Sequence, residues 1–125
     1  MDTSINQYFI YGIAVPINWY VDWEKETGKN FIKTFDEFIK DDGFSTNPNF
    51  SGRIFRIFNG RDGQYIIIGN ELYKTDNENP FFEETNPIKV PIISELERIN
   101  IEYLVKRYFD LTGQFHYYFV THPNN

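Results

Sequence analysis

The chain contains no cysteine, so disulfide staples and thiolate metal sites are excluded and a reducing compartment is permitted. It also lacks any apolar run near the roughly 20 residues that a membrane-crossing helix needs. Residues 1–6 (MDTSIN) have neither the basic nor the apolar segment of a secretory signal. Cations are in the minority: 12 Lys and Arg stand against 18 Asp and Glu, a net charge of −6. A phosphate-backbone binder needs clustered Lys and Arg, so this balance weighs against nucleic acid as a partner. These absences lead us to expect a soluble cytoplasmic protein with no membrane association and no cofactor.

What is present is bulk. The 125 residues include 13 Phe, 9 Tyr and 2 Trp, 19% aromatic in all. Each such ring can bury about 150–250 Å², enough for one core in a single domain spanning 1–125.

The clearest local signal lies in residues 53–73 (RIFRIFNGRDGQYIIIGNELY), where two apolar runs flank Asn59-Gly60 and Asp62-Gly63. Residues that tolerate positive φ between β-branched and aromatic runs predict a β-hairpin, with its second strand over 64–73. Residues 7–16 (QYFIYGIAVP) read as a strand buried on both faces. Asn18 can cap a short helix that runs through Thr27 and stops at Gly28. Residues 30–42 form a second helical stretch, with Phe31, Phe35, Phe38 and Ile39 on one stripe and Gly43 at its end. Residues 44–52 read as a turn-rich loop and 74–91 as a long Pro-broken connection. Ser94 and Glu97 make a capping box that opens a helix running to about Leu111, punctuated by Gly113. Residues 115–121 (FHYYFVT) predict a last strand, and 122–125 a tail.

The order is βαββαβ, which predicts an α+β, ferredoxin-like fold: a four-stranded antiparallel sheet with helices on one face. The first and third strands should be central, because they are the continuous apolar runs. The second and fourth, interrupted by Arg and His, should be edges.

No catalytic constellation emerges. His116 and His122 have no carboxylate nearby in sequence to orient them, and two ligands fall short of a metal site. The pairs Asp36-Glu37, Asp41-Asp42 and Glu83-Glu84 read as solvated faces and loops. No Ser sits in a G-x-S-x-G turn, and 60–63 (GRDG) is no Walker loop. The reading is therefore not an enzyme. The RNA-recognition domain shares the βαββαβ order, but the third strand supplies only Tyr65 where that domain needs several aromatics and cations, which weighs against it.

Two surfaces look too apolar for solvent. The last helix carries a row at Ile101, Val105 and Phe109, and Leu96, Ile99, Leu104, Tyr108 and Leu111 spread around the rest. If one polar residue per strand marks the solvent face, Gln7 groups with Phe9 and Tyr11, and Arg56 with Ile54 and Phe58. Gln64 then groups with Ile66 and Ile68, and His116 with Tyr118. That open sheet face would hold a contact patch of Tyr11, Arg56, Phe58, Ile66, His116 and Tyr118, for a host protein or a second copy.

Four stretches carry a family likeness: 8–12 (YFIYG), the Trp-containing acidic 19–24 (WYVDWE), 62–69 (DGQYIIIG) and 117–122 (YYFVTH). In these the chain resembles small accessory proteins of tailed bacteriophages, especially those with large, T-even-like genomes. The resemblance implies a phage product acting in the cytoplasm of a bacterial host, and transfers no functional residue. The expected function is non-enzymatic binding of a host macromolecule, with an antiviral defence system as a candidate target. The alternative is a nucleotide-binding or nucleotide-sequestering protein that uses Arg for phosphate and Tyr for the base, between protomers.

Overall fold

The computed structural model describes the backbone of residues 4–45, 51–60, 63–75 and 92–124, and the side chains of 7–43, 51–55, 64–74 and 92–121. In chain order the elements are β1 (Ser4–Pro16), α1 (Trp19–Thr27), α2 (Phe31–Ile39), the single turn α3 (Asp42–Ser45), β2 (Ser51–Gly60), β3 (Gly63–Thr75), α4 (Glu95–Phe109) and β4 (His116–Asn124). The strands form one antiparallel sheet in the order β2-β3-β1-β4, with β1 and β3 central and β2 and β4 at the edges.

Local chemistry explains most boundaries. Gly28 stops α1 at φ 71°, its N–H bonded to the Glu24 carbonyl. Asn30 caps α2 through its side chain, accepting from the Lys33 N–H at 2.9 Å. The expected continuation of α2 to residue 42 fails because Asp41 intervenes. Its Oδ1 accepts from the Gly43 N–H at 2.8 Å, an Asx turn that ends one helix and starts α3. The Ser94–Glu97 capping box forms in full, with bonds of 3.2 and 2.9 Å. Asp110 rather than Gly113 takes the left-handed cap of α4, at φ 55°.

The hairpin closes with Gly60 paired to Gly63, its two-residue tip outside the described residues, as is the connection over 76–91. The expected tail at 122–125 is instead strand through Asn124, which pairs with Ser4. Pro123 is tolerated there because β4 is an edge.

One face of the sheet is covered by α1, α2 and α4. Ile13 and Val15 of β1 and Ile66 and Ile68 of β3 meet Trp23, Phe31, Phe38, Leu104, Val105 and Phe109, all buried. Phe109 is the hub: its ring centroid lies 5.3–6.3 Å from those of Phe38, Phe31, Trp23 and Trp19. Between Phe9 and Ile10 the β1–β3 register slips, and the extra residue, Leu72, packs with Tyr11, Ile93 and Ile101.

The other face departs from expectation. It carries Tyr8, Ile10, Phe55, Ile67 and Val120, and all are at most 7% exposed. The Tyr8 and Phe55 rings lie tilted against one another with centroids 4.7 Å apart, and the Arg53 guanidinium and Lys74 ammonium lie 6.0 and 5.7 Å from the Tyr8 ring. Arg53 Nε sits 3.2 Å from Glu71 Oε1, an ion pair without hydrogen-bond alignment. Phe9, Tyr11, Ile54, Ile66 and Ile68, expected on an open face, therefore belong to the helix-covered side. Among the described side chains of that expected face, only His116 and Tyr118 fall on the side expected of them. No exposed apolar patch exists on this second face among the described residues.

Candidate functional site

Of the six residues expected to form a contact patch, the four whose side chains are described do not share one surface. Ile66 is fully buried beneath the helices. Tyr11 is 4% exposed, with its ring 5.7 Å from Phe115 and 5.1 Å from Tyr117. Its hydroxyl donates to Glu102 Oε1 at 3.4 Å. Burial, and next the Glu102 carboxylate, push the Tyr11 hydroxyl above its ordinary pKa. His116 is exposed and Tyr118 half-buried on the second face, rings 6.1 Å apart; burial raises the Tyr118 pKa. Arg56 pairs with Ile66 along β2 and β3, and its side chain and that of Phe58 lie outside the described residues.

The exposed apolar surface is elsewhere, on the outer side of α4. Leu96, Ile99 and Tyr103 follow i, i+3, i+7 spacing and so share one helical stripe. Their exposures are 80, 50 and 57%, and Ile92, just before the capping box, is 83% exposed. On β4, Tyr117 and Phe119 are 42 and 52% exposed. Large apolar side chains this open, gathered on one helix, mark a contact surface more often than single exposed residues do.

A groove runs along the foot of this stripe, between α4 and the segment entering β4. One cavity of about 380 Å³ is lined by Ile99, Glu102, Tyr103, Lys106 and residues 111–113 and 115. A second, of about 570 Å³, is lined by Tyr11, Arg98, Glu102 and residues 113–117. They share Glu102, Gly113 and Phe115, so apolar and charged walls alternate along the groove. Arg98 is held between Glu95 and Glu102, at 3.7 and 3.4 Å. An apolar centre with a charged rim is the composition of a protein-contact surface.

The sequence carried a signal for this site in the broad apolar circumference of the last helix. Leu96 and Ile99 were legible as surplus to the Ile101–Val105–Phe109 row; Tyr103 and Ile92 were missed. Spacing from Leu96 to Tyr103 would have found the first of these.

Among the described residues no group of three or more His, Asp or Glu side chains is placed to hold a metal ion. No helix among them is long and apolar enough to cross a membrane. Comparison with protein-family models, curated proteins and solved structures returns no match to this chain.

Proposed function

We propose that this chain is a non-enzymatic binding protein that docks on a host macromolecule, a protein, through the outer stripe of α4 and the groove beside β4. The observation that carries this reading is the row Leu96, Ile99 and Tyr103, each at least half exposed on one side of a helix whose other side is buried, with Ile92 83% exposed just before it. Fully burying an exposed aliphatic side chain is worth about 1.5–3 kcal/mol, and Ile92 and Leu96 at 83 and 80% exposure approach that, with Ile99 and Tyr103 adding about half as much each. The resemblance to tailed-phage accessory proteins gives the setting: a phage product in a bacterial cytoplasm, with an antiviral defence component as the candidate target. The finer fold assignment belongs to the same proposal. The strand order β2-β3-β1-β4 supports a ferredoxin-like assignment, with three helical segments between β1 and β2 in place of the single one of βαββαβ.

A pull-down from bacterial host lysate tests it, with wild type, the double variant Leu96→Asp/Tyr103→Asp and the control Ile32→Asp. Ile32 is 62% exposed on α2, away from the stripe. The expected result is one protein retained by wild type and control and lost by the double variant. Capture of the same protein by all three, or of none by wild type, overturns the proposal.

A further inference from the structure

A second concave site lies where the last turn of α4 faces the junction of α1 and α2. It encloses about 600 Å³ and is lined by Gly28, Lys29, Asn30, Lys33, Thr34, Glu37, Arg107 and Tyr108. In a chain of net charge −6, three cations and one carboxylate meet there. Among the described residues, the fold leaves the two lysines unpaired and engages Arg107 only loosely, through Asp41 and the Tyr108 ring 5.6 Å from its guanidinium. Lys29 and Lys33 have no carboxylate within 4.0 Å among the described residues, and Arg107 reaches Asp41 only at 4.0 Å. Asp41 is already engaged, by the Tyr108 hydroxyl at 2.5 Å and the Gly43 N–H.

Lys29 and Lys33 also bracket the start of α2, the positive end of that helix dipole, where acidic residues are favoured. The first turns of α1 and α4 carry Asp22, Glu95 and Glu97; the first turn of α2 carries no acidic residue. The one carboxylate at this helix start, among the described residues, is that of Glu24, from the end of α1, bonded to the Phe31 N–H at 2.8 Å. The N–H groups of Phe31 and Lys33 are occupied by Glu24 and Asn30, so an anion here is held by side chains. Thr34 adds a hydroxyl. It lines the same groove at 7% exposure, and among the described residues its Oγ1 has no hydrogen-bond partner.

We infer that this groove binds a phosphomonoester small molecule of about nucleotide size. Lys29, Lys33 and Arg107 hold the phosphate, and the Thr34 hydroxyl donates to one of its oxygens. A dianionic group is what two lysines without an ion-pair partner among the described residues and an arginine only loosely paired with Asp41 recognise, since charge-assisted bonds to phosphate are the strongest available to them. A volume near 600 Å³ falls in the range of about 300–1,000 Å³ that holds a small organic ligand, so the phosphate is attached to something. This site lies within one chain rather than between protomers, and it is independent of the apolar stripe of α4.

The experiment is thermal unfolding and titration calorimetry of the whole chain with adenosine 5′-monophosphate, adenosine, inorganic phosphate and a short single-stranded oligo-dT. A ligand bound only by the folded state must raise the melting temperature. We expect the monophosphate to raise it in a saturable manner, inorganic phosphate to raise it less, and adenosine to leave it unchanged. Lys33→Gln/Arg107→Gln should weaken the monophosphate by about tenfold or more, as loss of charge-assisted bonds requires. Glu37→Gln should tighten it severalfold, an outcome that a purely structural role for the groove would not produce. Equal shifts with adenosine and the monophosphate, no shift with either, or unaltered binding by the double variant would each overturn the inference. So would binding of the oligonucleotide in preference to the monophosphate, which would assign the groove to a nucleic-acid backbone.

Discussion

Replacing Gly69 with Ala should open the centre of the sheet. Gly12 and Gly69 face one another across β1 and β3, and their backbones approach closely. A Cβ built on Gly69 would lie 2.2 Å from the Tyr11 carbonyl oxygen and 2.5 Å from the Gly12 Cα. Contact between such atoms is comfortable only near 3.5 Å, so the two strands must separate by roughly 1 Å. That separation cannot be absorbed by a rotamer, since both neighbours are backbone atoms. It stretches β1–β3 hydrogen bonds towards lengths at which they cease to be useful. Overpacking a core ordinarily costs about 1–3 kcal/mol, and we place this substitution at the upper end, about 3 kcal/mol. For a domain of this size that is a fall of roughly 10 °C in melting temperature. The assay is reversible urea unfolding of wild type and Gly69→Ala, with Gly28→Ala as comparison. Gly28 has positive φ and nothing within 4 Å of a built Cβ, so only about 1 kcal/mol of backbone strain is expected there. A Gly69→Ala protein within 0.5 kcal/mol of wild type would refute the close-approach reasoning.

Other perturbations have equally definite outcomes. Phe109→Ala removes a ring that is 1% exposed and touches four aromatic neighbours; it should cost about 3–5 kcal/mol by urea unfolding, and a cost under 1 kcal/mol would contradict the hub assignment. Asp41→Asn weakens the bonds from Tyr108 and the Gly43 N–H, the first of which chiefly holds the Asp41 pKa below the ordinary carboxylate value. A depressed folded pKa contributes stability that is present above the unfolded value and is lost as pH falls through the folded one. The wild-type advantage, about 1–2 kcal/mol at neutral pH, should therefore shrink on acidification, and a gap that persists at the acid limit would contradict it. Ser94→Ala removes one half of the α4 capping box and should cost about 1 kcal/mol, with faster amide exchange confined to the first turn of α4.

The features legible in the sequence share one property: each is decided within about four residues of itself. The Ser94–Glu97 box, the Gly28 stop, the Phe31–Phe38 stripe and the Gly-flanked hairpin all depend on contacts that adjacent side chains make with their own backbone. The sheet faces depend on long-range packing, and there one polar residue per strand misled. Gln7 is polar yet 4% exposed, so it points into the protein. Gln64 shares the parity of the buried Ile66 but stands at the start of β3 and is exposed. Polar residues here mark strand ends as much as faces. Pro123 hid the last part of β4, because an edge strand can hold a proline that a central strand would reject. The groove at Lys29, Lys33 and Arg107 was illegible for a different reason: Arg107 lies more than 70 residues along the chain from the two lysines and meets them only when α4 packs beside α2.

The claim that α4 is the docking surface is tested most directly by contact itself. A photocrosslinking amino acid placed at Leu96, at Tyr103 or at Ile32 can be activated in bacterial cells that produce the chain. Positions 96 and 103 should join the chain to the same host protein, and position 32 should not. Crosslinks of equal yield at all three positions, crosslinks only between two copies of the chain, or none at 96 and 103 would contradict it.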